Sequence, residues 1–250
     1  MGAFQSQLMT KITLDKNGIP RLSANEIEMK AEEVIEFFDP RILKSSCQTP
    51  LMNFIQETCN RFNVGLDLSQ DLGISPQGHK IMGMYCFHPR KILIDKSLKG
   101  DNRINFILGH EFGHLVLHRD AIIKKKGYSD VDISDTVRDF VTNRKKLLTN
   151  RDWIEWQANR FASSILIPRA TLIMALLSVQ KSLGINHNLG YVYLDQMPYS
   201  LRDFNQTLQK LQIIYHVTKK NVEYRLNELG ILIDQRNKDT KHISELLSEK

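Results

Sequence analysis

The stretch INFILGHEFGHLVLH, residues 104–118, sets His110, Glu111, His114 and His118 into an otherwise apolar run. Its apolar positions recur with helical spacing, so it reads as a helix over about 103–119. On a helix, positions four apart share one face, a turn above each other. His110 and His114 therefore aim two imidazoles at one place. Zinc takes imidazole nitrogens at about 2.0–2.1 Å in a roughly tetrahedral set, and this spacing supplies two of them. Glu111 follows the first histidine. There it lies close to the ion's position without being bound to it, where a general base belongs. An HExxH pattern arises by chance in roughly one in a hundred chains of this composition, so its surroundings must decide. They are apolar, and imidazoles or a carboxylate without partners are costly in such a setting. The plain alternative, satisfied core histidines beside an exposed glutamate, fits that setting less well.

His118 lies eight residues after His110, about 12 Å along a helix axis. One ion cannot span that distance unless the helix breaks, and HLVLH carries no glycine at which to turn. His118 is therefore expected outside the ligand set. Orienting a neighbour, capping the helix end, contacting substrate and serving the fold all stay open for it.

A third ligand must come from elsewhere, and a carboxylate is the usual complement to two such histidines. The best candidate lies in DWIEWQANRFASSILIP, residues 152–168. Glu155, Ala158, Asn159 and Ala162 fall on one face of a helix there. The two alanines allow a close approach to the histidine helix, which brings Glu155 to the metal. Asn159, one turn on, is placed to hydrogen-bond a ligand or nearby backbone. Asp152 reads as the N-cap and Pro168 as a boundary. From periodicity alone, Glu155 could equally be a surface carboxylate.

Working outward, Ser23 and Glu26 form a capping box for a helix over 23–38, with Ile27, Ala31, Val34, Ile35 and Phe38 as its apolar face. A second helix is expected in TPLMNFIQETCNRF, with Thr49 as cap and Pro50 at the first position. NVGLDLS, KIMGMYCF and KILIDKS read as strands, the last two joined as a hairpin through HPR. Helical patterns return near 135–148, 152–166, 169–183, 201–215 and 219–229, and the polar tail has room for one more helix. Residues 184–200 read as a loop. The expected fold class is α+β, mostly helical with a small sheet. The expected division is a body at 20–183 and a helical C-terminal region at 184–250.

The hydrophobic fraction of 42% and the charged fraction of 25% are ordinary for a soluble globular chain. No apolar run approaches the roughly 20 residues of a membrane span. The start, MGAFQSQLMTK, lacks the apolar core of a signal peptide, so a cytoplasmic location is expected. Cys47, Cys59 and Cys86 form no CxxC pair, which argues against a disulfide scaffold or a cysteine-based zinc site. The net charge is +6, and its excess is clearest in 119–151, with nine Lys/Arg against five Asp/Glu. A solvated basic face explains that segment more simply than nucleic-acid binding does.

HEFGHLVLH, followed about forty residues later by EWQANRFASSILIP, resembles the paired signature of the ImmA/IrrE-type metallopeptidases. IMGMYCFHPRKILIDKSLKGDNRINFILGHEFGH resembles the strand–strand–helix run that leads to that family's active site. LQIIYHVTKKNVEYRLNELGIL resembles its C-terminal helix–turn–helix segment, here near 201–230. The likeness covers roughly 60–232. It implies a zincin-like fold with a small twisted sheet, one zinc ion held by His110, His114 and Glu155, and Glu111 as general base. It also implies a protein substrate, a helix–turn–helix transcriptional repressor whose cleavage switches on mobile-element or stress-response genes. The basic segment 119–151 departs from the family pattern. No repressor-like domain precedes the body, so the repressor would be a second polypeptide.

Two imidazoles and a carboxylate also suit iron or manganese. The substrate is expected to run along an edge strand at GMYCF, residues 83–87, adding to the sheet through its backbone. Cys86 then lies near the cleft, although an inert buried thiol is the simpler reading. His118, Tyr193, Tyr215 and His216 are candidate oxyanion donors. A non-hydrolytic regulator that binds a repressor or DNA, with a structural metal site, is the alternative. Lys219, Lys220 and Arg225 would be the basic groups of a recognition helix, but 201–250 holds nine basic and seven acidic residues. Contact with a protein partner is therefore preferred to direct DNA binding.

Overall fold

The computed structural model describes residues 12–16, 18–76, 78–87, 89–119, 133–136 and 149–236, with only the backbone for 87 and 133–136. The chain is α+β. The first helix, α1, spans Ala24–Phe38 behind the expected capping box: Ser23 Oγ accepts from Glu26 N–H, and the Glu26 carboxylate accepts from Ser23 N–H. Ile27, Ala31, Val34 and Ile35 form its buried stripe. Burying a side chain of this size contributes roughly 1.5–3 kcal/mol. Phe38 stacks on Phe54 of α2, Leu51–Phe62, with ring centroids 4.5 Å apart.

The start of α2 departs from expectation. Pro50 precedes the helix, and Thr49 does not cap it. The Thr49 hydroxyl instead donates to the Ile165 carbonyl at 2.8 Å, tying α2 to a helix far along the chain. Tertiary contact has displaced a local cap here.

The three expected strands form as β1 (Gly65–Asp67), β2 (Ile81–Phe87) and β3 (Arg90–Ile94). β2 and β3 make the antiparallel hairpin, with Gly83 opposite Ile94, and β1 pairs parallel to β3. A fourth strand, β4 (Ile133–Thr136), pairs antiparallel to β2, with Asp135 opposite Gly83. The sheet order is β1-β3-β2-β4. β2 is therefore not an edge strand, contrary to expectation. An extended peptide reaches its outer side only when β4 leaves it. The helix expected at 135–148 lies outside the described residues, apart from the two that belong to β4. The final helix of the tail lies outside them as well.

The histidine helix, α3, spans Arg103–Gly113 and widens into a π-helical turn over His114–His118. It packs against α4, Asn150–Leu166. Here Thr149, not Asp152, is the N-cap; Asp152 is its reciprocal partner three residues on. Pro168 separates α4 from α5, Arg169–Ser182. The segment 184–200 is not all loop. It contains β5 (Val192–Leu194), which pairs parallel with β6 (Leu232–Asp234), and the first turn of α6 (Pro198–Tyr215).

Thr218 caps α7, Lys219–Glu228, and Gly230, at φ 67°, follows its end as expected. Arg225 of α7 is fully buried. Its guanidinium meets the Glu28 carboxylate of α1 through two hydrogen bonds of 2.5 and 2.6 Å and donates to the Ile167 carbonyl. It is therefore closed to a nucleic acid, which corrects its assignment to a recognition surface. Among the described residues, no single helix is long and apolar enough to cross a membrane.

Candidate metal centre

The centre is built on the seam between α3 and α4. Gly109 and Gly113 of α3 face Ala162 and Ala158 of α4. A Cβ added at Gly109 would stand 3.2 Å from the Cα of Ala162, and one at Gly113 would stand 3.2 Å from that of Ala158. Four small residues, each pair four apart, let the two backbones approach with no side chain between them. The residue after each glycine is a histidine. The residue three before each alanine is Asn159 or Glu155. The seam's register thus turns His110 and His114 toward Asn159 and Glu155.

The Nε2 atoms of His110 and His114 are 2.8 Å apart. Glu155 Oε2 lies 3.2 Å from the first and 3.7 Å from the second. Tetrahedral ligands at about 2.05 Å from an ion stand roughly 3.3 Å from one another, so the spacing fits. All three side chains are buried. His110 Nδ1 is 2.8 Å from Asn159 Oδ1, which can only accept, so the proton sits on Nδ1 and Nε2 is left bare. A bare ring nitrogen, a second imidazole and a carboxylate thus converge out of water. Such a set is satisfied by a cation at its centre. Among the described residues, His110, His114 and Glu155 are the group that could hold a metal ion.

Electrostatics agree. Burial pushes His114 down to about 4, helped by His110 and opposed by Glu155. Burial also drives His118 well below its usual value. Burial works to raise Glu155, but its contacts with His110 and His114 outweigh this and hold it well below the ordinary carboxylate range. Near neutral pH the site therefore offers a neutral His114 and an ionised Glu155, protonation states a metal requires.

Glu111 is fully buried on the next position of α3, against Gly83 of β2. His118 touches His114 through the two Nδ1 atoms, 3.0 Å apart, on the side of the ring away from the triad. The four oxyanion candidates fare differently. His118 is engaged with His114, and the Tyr215 hydroxyl with Thr171 Oγ1 at 3.2 Å. Tyr193 lies on β5, and His216 closes α6 with an exposed side chain. Cys86 is half-buried.

Three residues that shape the centre were not singled out from the sequence. Gly83 makes room for Glu111, Gln157 is buried on α4 and donates to the Pro20 carbonyl, and Arg151 approaches Glu155 Oε1 at 3.7 Å. Arg151 and Gln157 flank Glu155 at four residues before and two after, so helical spacing could have flagged Arg151. Gly83 carried no local signal.

The sequence profile of the IrrE N-terminal-like domain, a family of M78 peptidases, matches residues 73–227. The chain belongs to this family. The matched stretch holds β2, β3, the seam and the whole triad, so the IrrE-like domain contains the metal-binding group within its own bounds. No curated protein matches the chain.

Proposed function

We propose that the chain is a zinc-dependent endopeptidase of zincin-like fold that works in the cytoplasm and cleaves a helix–turn–helix transcriptional repressor. The observation that carries the metallopeptidase reading is the buried convergence of His110 Nε2, His114 Nε2 and Glu155 Oε2 beside Glu111. His110, His114 and Glu155 would hold a zinc ion, which would supply Lewis-acid chemistry for a peptide carbonyl and a water. Glu111 takes the proton from the attacking water and passes it to the leaving amine. Asn159 fixes the His110 ring so that its bare nitrogen faces the triad. The buried, apolar surroundings keep bulk water away and strengthen each of these charges.

The ligand group has three members among the described residues, not four. A catalytic zinc keeps a position open, whereas a structural zinc is closed by four protein ligands, so the count supports hydrolysis over a purely structural site. In this reading residues 184–250 present the C-terminal helices to a protein partner. The burial of Arg225 supports that over direct DNA binding.

The test is metal content by mass spectrometry on protein purified without added metal, followed by incubation with purified helix–turn–helix repressors from the same genome. We expect near-stoichiometric zinc in the wild type, its loss in His114→Ala, and a discrete cut in the repressor. Absence of metal after zinc is offered would overturn the metallopeptidase reading. Full zinc with an intact repressor would overturn the substrate.

A further inference from the structure

We infer that the C-terminal region carries a docking site for a protein partner, a pocket between β5 and the first turns of α6 that takes one arginine side chain of that partner. This rests on the reading of residues 184–250 as a partner surface, and it needs no metal.

The pocket is a cavity of about 110 Å³ walled by the segment after α5, by β5 and by α6. Small-molecule sites are roughly 300–1,000 Å³, while about 150 Å³ holds a single benzene ring. The cavity therefore suits one side chain, not a nucleotide or a larger metabolite. Its walls are fixed by hydrogen bonds within the chain. The buried Gln180 side chain donates to the Tyr191 carbonyl at 2.8 Å and accepts from Gly190 N–H at 2.9 Å. Ser200 Oγ accepts from Asp195 N–H at 3.0 Å and donates to the Tyr193 carbonyl at 3.2 Å, which ties β5 to the start of α6. A site built in advance spares a ligand the cost of ordering it.

The wall chemistry selects the side chain. Tyr191, Tyr193 and Tyr199 line the cavity, and Asp203 is the one acidic residue that does. Arg202 meets Asp203 Oδ1 at 3.1 Å, but it is 66% exposed, and ion pairs of that kind add little. Oδ2 is turned to His187, another lining residue, at 3.8 Å, which is too far for a hydrogen bond. No described residue donates to Oδ2, so one carboxylate oxygen is open to a donor. A guanidinium is flat, stacks on aromatic faces and donates through a fork, so it answers the rings and the carboxylate together. A phosphate would meet a like charge at Asp203.

The surroundings point to a protein as its carrier. Leu177, Leu189, Tyr191, Met197, Tyr199 and Leu201 are all exposed. Tyr191 and Tyr199 belong to the pocket wall, and Leu177 reaches the Gly190 turn beside it, 4.0 Å from where a Cβ would stand. Clustered apolar exposure of this kind marks interaction surfaces. Arginine is among the side chains that anchor such interfaces, seated in a pocket with apolar contacts around it.

The test titrates N-acetyl-arginine methylamide into nitrogen-labelled, chelator-treated protein, beside the citrulline and norleucine analogues. We expect saturable amide shifts confined to residues around 187–204 with the arginine probe, and binding at least ~10-fold weaker with citrulline, which keeps the shape and lacks the charge. Asp203→Asn should weaken the arginine probe about 10-fold, and Tyr199→Leu about 2–5-fold. Both positions reach solvent, and the spectra of the variants report their fold directly. Citrulline or norleucine binding as tightly as arginine, or arginine shifts elsewhere on the chain, would overturn the inference. Purified helix–turn–helix repressors should then bind the same metal-free protein, about 10-fold more weakly in Asp203→Asn. Equal binding to both proteins would overturn the pocket as the docking site. Repressors that bind neither protein, while the arginine probe binds, would instead overturn the repressor as the partner.

Discussion

Gly83 of β2 lies directly against Glu111 of α3. A Cβ added at Gly83 would collide with Glu111 Oε1 and stand 2.7 Å from Ile107 Cγ2. Both the Glu111 carboxylate and the branched methyl of buried Ile107 must shift to admit an added methyl. Gly83→Ala should keep zinc content, lower the thermal midpoint, and lower cleavage at least ~10-fold, since a displacement of about 1 Å at a reacting group can cost 100-fold. Cleavage kinetics beside the thermal midpoint check this. Unchanged cleavage would place the reacting geometry away from Glu111.

Glu111→Gln separates proton transfer from metal binding. The amide keeps the size of the side chain but cannot take a proton. Zinc content should stay stoichiometric while the rate falls by about 10²–10⁴, the usual contribution of a positioned general base. Equal loss of zinc and rate would recast Glu111 as a ligand.

The site was more legible in the sequence than the sheet around it. His110 and His114 are fixed by helical period, because positions four apart share a face whatever else the chain does, whereas period alone left Glu155 open between a ligand and a surface carboxylate. The Ala158 and Ala162 face pointed to a close helix pair, and Gly109 and Gly113 completed it from the other side. What stayed hidden depends on partners distant in sequence. Thr49 looks like a cap until Ile165 offers a carbonyl, and β5 looks like loop until Leu232–Asp234 arrives forty residues later. β4 sits in a segment whose local pattern favours helix, yet its backbone pairs with β2. The bond from the Gln157 amide to the Pro20 carbonyl, 137 residues away, likewise has no local signature.

Arg225 should be among the most sensitive positions for stability. It joins α7 to α1 through Glu28, with Ser164 also donating to that carboxylate. Removing one member of a buried pair leaves an uncompensated charge, at a cost of about 3–5 kcal/mol, while replacing both with well-packed apolar groups is often near neutral. Arg225→Met should therefore lower the urea midpoint sharply, and Glu28→Leu in the same chain should recover only part of the loss, because Arg225 also pairs with the buried Glu228 at 3.3 Å. A single variant as stable as wild type would mean that the pair adds nothing to the fold.

Stability of the metal-free protein should fall with acid. His114 has an ordinary value of 6.5 in the unfolded chain and about 4 in the folded one, because burial penalises its charged form. Between these values the unfolded state binds a proton that the folded state refuses, so stability rises with pH across the window. It is fully present above about pH 6.5 and is lost progressively as pH drops toward about 4. His118 is shifted in the same direction by the same cause and adds to the slope. Each such group contributes up to about 1.4 kcal/mol per pH unit. Glu155, held below its ordinary range, extends the loss below about pH 4.5. Urea denaturation of chelator-treated protein from pH 7.5 to 4.5 reads the slope directly, and His114→Phe should flatten it by about one proton. Zinc should steepen the wild-type dependence, because protons compete with the ion for the same nitrogens. A metal-free stability that is flat, or that rises toward acid, would mean that the imidazoles are not held neutral by burial.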